Sequence, residues 1–245
     1  MLRPLSTSEL LEVWERGLAE HPVERAHSLL AVACPGTPHE GLRRLTVGQR
    51  DACLFVLRGL TFGPQAVGLA TCPDCGERHE LVFPLADLGV IPAGKPEDVL
   101  EFAEGGFELS FRLPNSADLA AIGGQTDPSR ARFRLFERCL LSVQRGGTGI
   151  AASEVPDHII DLVSGRMGQA DPQGDVEIAL CCKSCNREWQ EPFDILSFFW
   201  TEIHAWANKI LMEVHSLASS YGWSEADILA MHPWRRHFYL EMAGR

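Results

Sequence analysis

Two pairs of cysteines offer the clearest chemistry in this 245-residue sequence. Cys72 and Cys75 are separated by two residues, and so are Cys182 and Cys185. Two thiolates at this spacing bind one Zn²⁺ when the chain turns tightly between them, and four thiolates close a tetrahedral structural site. A site with four protein ligands has no open position for water or substrate. The sequence therefore predicts one structural Zn²⁺ per chain, bound by Cys72, Cys75, Cys182 and Cys185.

The two cysteine pairs belong to an internal repeat that aligns without a gap. In each copy the second cysteine is followed at once by Gly76 or Asn186, the two residue types that best tolerate a positive φ. A ring stands four residues after the second cysteine, a phenylalanine follows four residues later, and an aliphatic residue comes two after that. These later pairs of positions are His79 and Trp189, Phe83 and Phe193, and Leu85 and Ile195.

The distance between the pairs is unusual for a zinc ribbon. The chain places 106 residues between Cys75 and Cys182, whereas roughly 15–20 separate the pairs of a compact ribbon. We therefore expect a long insertion between the two hairpins of one ribbon. Cys181 competes with Cys182 as a ligand, and the gapless alignment selects Cys182.

Other interpretations of the cysteine pairs remain open at this point. They can be free reduced thiols or a redox pair, although a redox pair favours a βαβ context that the sequence does not show. His79 can serve as a ligand if Cys185 does not. Three further cysteines lie on helical or apolar stretches and are expected to be small core residues: Cys34, Cys53 and Cys139.

The remaining sequence carries no recognisable catalytic pattern. It lacks the G-x-S-x-G, phosphate-loop, G-x-G-x-x-G and H-E-x-x-H motifs. His204 and His215 lie on one predicted helix but are not four residues apart. We therefore expect a protein that is not an enzyme.

Composition and charge limit the classes of partner that the protein is expected to bind. The formal net charge of −11 repels phosphates, which argues against binding of nucleic acid. No stretch approaches the roughly 18–20 apolar residues of a membrane span, and the N-terminus has no apolar signal segment. We expect a cytoplasmic protein with reduced cysteines and no membrane partner.

The helices and strands that the sequence predicts around the cysteines indicate an α+β fold. Residues 1–62 are predicted as a three-helix N-terminal unit, 63–85 and 176–193 as the two halves of the ribbon, 86–175 as a mixed α/β insertion, and 194–245 as a long helix with a short helical tail. Within the insertion, 86–100 is predicted as a loop and 129–143 as one helix. Apolar residues recur at steps of three and four from Ile195 to Tyr221, which predicts a helix about 40 Å long.

The C-terminal region has two interpretations. The basic segment formed by Arg235, Arg236 and His237 is either solvated or a contact for an acidic partner. The tryptophans of this region either belong to the core or line a surface for another protein helix. They are Trp200, Trp206, Trp223 and Trp234.

Several stretches together resemble the T4-family baseplate hub assembly chaperones of contractile phage tails and related contractile injection systems. They are residues 11–17, 48–51, 72–76, 111–114, 118–119, 182–185, 221–225 and 233–240. The resemblance covers nearly the whole chain. The second cysteine pair departs from the usual pattern, because Lys183, Ser184 and Asn186 stand where proline and glycine are commoner.

The resemblance implies a non-enzymatic protein that helps to assemble the baseplate and hub. Its partners would be baseplate, hub, spike or tape-measure proteins, and the chain would act in the bacterial cytoplasm and could stay in the finished particle. The alternatives are a permanent baseplate subunit, a zinc-ribbon regulator that binds nucleic acid, and an unrecognised enzyme. Partner, binding face and oligomeric state are left open by the sequence.

Overall fold

A computed structural model describes residues 2–88 and 99–244. The helices are α1 Thr7–Gly17, α2 Pro22–Ala33, α3 His39–Arg43, α4 Val47–Phe62, α5 Ser116–Ile122, α6 Pro128–Cys139, α7 Asp157–Ala170, α8 Ile195–Tyr221, α9 Glu225–Leu229 and α10 Pro233–Ala243. The strands are β1 Gln65–Thr71, β2 Arg78–Pro84, β3 Leu100–Glu104, β4 Phe107–Phe111, β5 Leu140–Arg145, β6 Thr148–Gly149, β7 Glu177–Cys181 and β8 Glu188–Pro192.

The N-terminal helices begin where their capping residues predict. Ser6 accepts a hydrogen bond from the amide of Glu9, and the Glu9 carboxylate accepts one from the amide of Ser6. Thr46 and Gln49 form the same reciprocal cap at the start of α4. The unit has a fourth short helix, α3, so the expectation of three helices is wrong. The five residues of α3 carry little periodicity, which is why the sequence did not indicate them.

The insertion is built on a sheet with strand order β3-β4-β5-β6. The predicted helix over 129–143 is wrong at its end, because the chain leaves α6 at Leu140 and pairs with β4, placing Val143 opposite Leu109. Strand β3 at Leu100 was not predicted either. Residues 89–98 of the predicted loop lie outside the described residues, and 85–88 form a short 3-10 turn.

The insertion contacts the N-terminal unit at the start of α4. The amide of Gly48 donates to the carboxylate of Asp171 at 2.8 Å. A Cβ on residue 48 would lie 2.1 Å from the same carboxylate, so the close approach requires glycine. The side chain of Arg50, which is buried beside Asp51, also donates to Ser116 of α5.

Helix α8 joins two cores. Its N-terminal half buries Ile195, Phe199 and Ile203 among residues of α1, α2 and α4. Its C-terminal half buries other residues against α9 and α10, namely Ile210, Val214 and Leu217. Asp194 caps its first turn, and Gly222, with φ of 68°, ends it.

The expected α+β class is confirmed, with N-terminal helices, two cysteine pairs separated by an insertion, and a long C-terminal helix. No helix among the described residues has the length and apolar character needed to cross a membrane.

Candidate metal centre

Each cysteine pair lies in a tight turn between two antiparallel strands. In the first turn, the amide of Cys72 donates to the carbonyl of Glu77 at 2.9 Å, and the amide of Gly76 donates to the carbonyl of Cys72 at 3.0 Å. In the second turn, the amide of Cys182 donates to the carbonyl of Arg187 at 2.8 Å. The turns connect β1 to β2 and β7 to β8, which form separate two-stranded sheets.

The residue after the second cysteine has the same backbone conformation in both turns. Gly76 has φ of 72° and Asn186 has φ of 59°. Among the described residues other than glycine, Asn186 alone has a positive φ. The amide of Asn186 donates to the carbonyl of Cys182 at 2.9 Å, as the amide of Gly76 does in the first turn. The repeat in the sequence is therefore a repeat of backbone geometry.

The structure brings the four sulfur atoms of Cys72, Cys75, Cys182 and Cys185 within 4.8 Å of one another. The Cys72 and Cys185 sulfurs are 3.6 Å apart, and those of Cys75 and Cys182 are 3.5 Å apart. Zn–S bonds of about 2.3 Å in a tetrahedron place sulfurs roughly 3.8 Å apart. The cluster thus has the size and the donor set that fit one tetrahedral metal ion.

Backbone amides point at the sulfurs and favour their ionised form. The amides of Cys185 and Ser184 hydrogen-bond to the sulfur of Cys182. Burial opposes ionisation of Cys182, but these amides, together with His79 and Cys75, lower the pKa of Cys182 to about 6.

For the exposed cysteine of each turn, the effects that raise the pKa outweigh the backbone amide that lowers it. The amide of Glu77 lowers the pKa of Cys75, but contact with Cys182 and desolvation outweigh that effect and raise it. The amide of Arg187 lowers the pKa of Cys185 in the same way. Desolvation and the other three sulfurs outweigh this effect and raise that pKa to about 12. Four ionised sulfurs repel one another at these distances, and a divalent cation between them would offset that repulsion.

His79 approaches the cluster from the first hairpin. Its Nε2 lies 3.2 Å from the sulfur of Cys182, across the gap between the hairpins. Its ring centroid lies 6.5 Å from that of Trp189, the residue at the same place in the repeat. The sequence identified His79 as a packing ring or an alternative ligand and missed this hydrogen bond, which joins residues 103 apart in the chain.

The other four cysteines do not belong to the cluster. Cys181 is exposed on the outer side of β7, whereas Cys182 is fully buried in the cluster. Cys34 and Cys139 are buried. Cys53 is half-buried against the core that α1, α2, α4 and the N-terminal half of α8 form. Burial raises the pKa of Cys53, and it raises that of Cys139 to about 11.

Aromatic rings fix the hairpin bases against each other. The rings of Phe83 and Phe193 meet edge to face at 5.9 Å between centroids. Phe193 also packs on Phe55 of α4 at 5.8 Å and on Phe198 of α8 at 5.1 Å. Phe193 thus connects both hairpins to two helices.

A buried arginine fixes the first hairpin to the helices. Arg58 of α4 is 2% exposed and donates to the carbonyl oxygens of Gly63 and Gln65, where β1 begins. Its Nε also donates to the carboxylate of Glu202 on α8 at 2.7 Å. The start of β1 is therefore held between α4 and α8.

Comparison with known proteins yields one family. Residues 24–200, which include both hairpins and the insertion, match a family model described as T4 bacteriophage base plate protein. No curated protein and no solved structure matches the chain.

Proposed function

Because the chain belongs to the T4 bacteriophage base plate protein family, we propose that it is a non-enzymatic assembly factor for a contractile tail. In this role it binds other proteins while the baseplate and hub form in the cytoplasm of a bacterial host. Its partners are baseplate, hub, spike or tape-measure proteins of a phage or of a contractile injection system. Family membership is the observation that carries this proposal.

We also propose that the four clustered cysteines bind one Zn²⁺. The ligands are Cys72, Cys75, Cys182 and Cys185, and their sulfur separations support tetrahedral coordination. All four positions on the ion are taken by protein, so the zinc is structural.

The zinc has a mechanical role in this proposal. Residues 63–85 and 176–193 form two halves of one ribbon, with 86–175 inserted between them and with 1–62 and 194–245 on either side. Helix α8 leaves the second hairpin three residues after β8 ends, so the ion fixes the angle at which α8 enters the core. Metal binding and folding are coupled at such sites.

The charge of the chain supports protein partners over nucleic acid. A net charge of −11 repels phosphates. An acidic surface instead favours solubility and association with proteins that carry complementary charge.

Gene deletion combined with mass spectrometry of purified particles tests the role. We expect deletion to abolish assembled particles, complementation to restore them, and the chain to be absent from finished particles. Particles that assemble normally without the chain would remove the proposal. A stoichiometric signal in finished particles would replace the assembly factor with a permanent baseplate subunit.

A further inference from the structure

A cavity of about 350 Å³ lies where four helices meet. Its lining comes from the start of α1, the end of α4, the middle of α8 and the start of α10. Cavities that bind ligands have volumes of roughly 300–1,000 Å³ and combine apolar walls with a few polar groups. The apolar side chains that line this cavity include Leu60, Phe62, Trp206 and Ile210.

Arg236 contributes a guanidinium to this cavity that is only partly hydrogen-bonded. The residue is 5% exposed, and its Nε donates to the carboxylate of Glu213 on α8 at 2.8 Å. Its Nη1 is buried and has no hydrogen-bond partner among residues 2–88 and 99–244. A buried N–H group without an acceptor costs free energy. A ligand that enters the cavity with an oxygen acceptor would remove that cost.

The charged groups that line the cavity favour a monoanion. They are two cations, Arg236 and Lys209, and one carboxylate, Glu213, so one positive charge is in excess. Glu213 lies 2.8 Å from Arg236 and 3.9 Å from Lys209. At the start of α1, Glu9 is paired with Arg3 at 2.9 Å, and this pair adds no net charge. A monoanion balances the lining, whereas a dianionic phosphate leaves one charge uncompensated.

The first turn of α1 independently favours an anion. Helix α1 begins at Thr7, which lines the cavity together with Ser6, the capping residue. The side chain of Ser6 accepts from the amide of Glu9, and the other amides of the first turn have no acceptor within the helix. A helix N-terminus carries partial positive charge and binds anions. The helix end and the Arg236 guanidinium thus favour the same kind of ligand.

The position of Arg236 requires a ligand whose anionic group is close to an apolar group. Trp206, Ile210 and Glu213 follow one another at steps of four and three on α8 and all line the cavity. Because Arg236 pairs with Glu213, its guanidinium lies beside the apolar side of α8. The last residue of a polypeptide matches this arrangement when its side chain is apolar, since the carboxylate and the side chain branch from one Cα.

Hydroxyl groups in the lining favour a peptide over a hydrocarbon chain. The hydroxyl of Thr61 donates to the carbonyl of Leu57 at 2.7 Å and keeps a lone pair that can accept from a peptide N–H. A hydrocarbon chain would remove these hydroxyls from water without pairing them, which is unfavourable. The hydroxyls belong to Ser6, Thr7 and Thr61.

We propose that this cavity binds the C-terminal carboxylate of another baseplate protein whose last residue is apolar. Arg236 and Lys209 bind the carboxylate, and the apolar side chain packs against Leu60, Trp206 and Ile210. Capture of a C-terminal carboxylate by N–H groups is a recurring mode of peptide recognition. This inference rests on the proposed function, since it names the site at which the chain holds a partner.

N-acetylleucine and N-acetylleucinamide test the chemistry of the ligand on the full chain. The two compounds differ only in the group that stands for the C-terminal carboxylate. Binding is measured by NMR titration of the ¹⁵N-labelled protein, with the indole N–H of Trp206 as the reporter. We expect N-acetylleucine to bind with a Kd in the low millimolar range and the amide to bind at least about tenfold more weakly. Equal binding of the two, or an unchanged Trp206 signal, would overturn the proposal.

Octanoate and inorganic phosphate test the two competing classes of ligand. We expect both to bind more weakly than N-acetylleucine in the same titration, because octanoate has no peptide group and phosphate has no apolar group. Tighter binding of octanoate would overturn the proposal in favour of a fatty acid. Tighter binding of phosphate would overturn it in favour of a phosphorylated ligand.

Substitutions locate the site. Arg236→Lys keeps a cation beside Glu213 but removes both Nη groups, and it should weaken N-acetylleucine binding at least about tenfold. Leu60→Ser removes a side chain that is 49% exposed and should weaken binding about fivefold. Leu162→Ser on α7, where the side chain is 41% exposed, is the matched control and should bind like the parent.

Thermal unfolding shows whether each variant is folded. Folded Arg236→Lys and Leu60→Ser proteins that bind N-acetylleucine like the parent would overturn the proposal. If Arg236→Lys does not fold, Leu60→Ser and the comparison of acid with amide decide the question.

A binding assay with whole proteins separates this inference from the proposed function. Each purified baseplate protein of the same particle is tested for co-purification with the chain, with its native C-terminus and with a short glycine–serine extension. We expect one of them to bind, and the extension or excess N-acetylleucine to abolish binding. If none binds, the proposed function fails, and the assignment of the partner fails with it. If one binds and neither change affects it, this inference alone is wrong.

Discussion

The β1–β2 and β7–β8 hairpins have the same turn but different surroundings. In both, the residue after the second cysteine has positive φ, and the amide of the first cysteine donates to the carbonyl five residues later. Beyond the turn they diverge. The chain leaves β2 through a 3-10 turn toward the insertion, whereas it leaves β8 directly into α8.

The exposed faces of the hairpins also differ. On the first hairpin, Val67 and Val82 face each other across the strands and are exposed. On the second hairpin, the corresponding positions are Glu177 and Pro192, which also face each other across the strands and are exposed. The comparison teaches that a turn of four or five residues can be duplicated while the surfaces around it take on separate roles.

Removing one sulfur from either hairpin is the largest expected perturbation. If one ion joins the hairpins, Cys72→Ser and Cys182→Ser should each lose the metal and destabilise the protein equally, by about 4 kcal/mol. For a chain of this size that lowers Tm by roughly 8–16 °C. Calorimetry of the parent and of the two variants, all purified with zinc present, measures the difference in Tm.

Cys181→Ser is the matched control, because Cys181 is exposed beside the cluster. Its stability should stay within about 0.5 kcal/mol of the parent. If one of the two ligand variants kept the parent Tm, the hairpins would not share an ion.

Truncation of the two equivalent phenylalanines should distinguish the hairpins. Phe193 contacts rings from α4, β2 and α8, whereas Phe83 is in ring contact with Phe193. We expect Phe193→Ala to cost about 3 kcal/mol and Phe83→Ala about half as much. Urea unfolding at a fixed zinc concentration measures both, with exposed Leu69→Ala as a near-neutral control. Equal costs would contradict the central position of Phe193.

His79 and Trp189 occupy one place in the repeat but contact different groups. His79→Phe keeps a ring and removes the contact with the Cys182 sulfur, so zinc affinity should fall about tenfold. Trp189→Phe removes a hydrogen bond to Glu191 and should leave affinity unchanged. Competition with a chromophoric chelator measures the affinities. An unchanged affinity in His79→Phe would show that the contact does not support the metal site.

The smallest expected effects concern the positive-φ positions. Gly76→Ala introduces a Cβ at φ of 72° and should cost about 1 kcal/mol. Asn186→Gly retains a residue suited to that conformation and should change stability by less than about 0.5 kcal/mol. Chemical denaturation measures both. A neutral Gly76→Ala would indicate that the two turns do not share their backbone conformation.

The parts of the fold that sequence patterns predicted are those set by local interactions. The reciprocal cap of Ser6 and Glu9 marks the start of α1, and the apolar period from Ile195 to Tyr221 marks α8. The C-x-x-C repeat selected the four cysteines whose sulfurs the structure brings together. Each of these signals lies within one element or one turn.

The parts that were missed depend on contacts between distant residues. Leu140 begins a strand because β4 lies beside it, although its own sequence continues the helical period of α6. His79 reaches Cys182 because the hairpins meet, and no local pattern encodes that contact. Whether Trp234 is buried or exposed was left open by the sequence, and the structure exposes it on a helix whose Arg236 pairs with Glu213 of α8.

X-ray absorption at the zinc edge, together with metal analysis of the chain as purified, tests the central claim most directly. We predict one zinc per chain, surrounded by four sulfurs at about 2.3 Å. A folded chain without metal, or a zinc with a nitrogen ligand in place of one sulfur, would contradict the assignment of Cys72, Cys75, Cys182 and Cys185 as the four ligands that join the two hairpins.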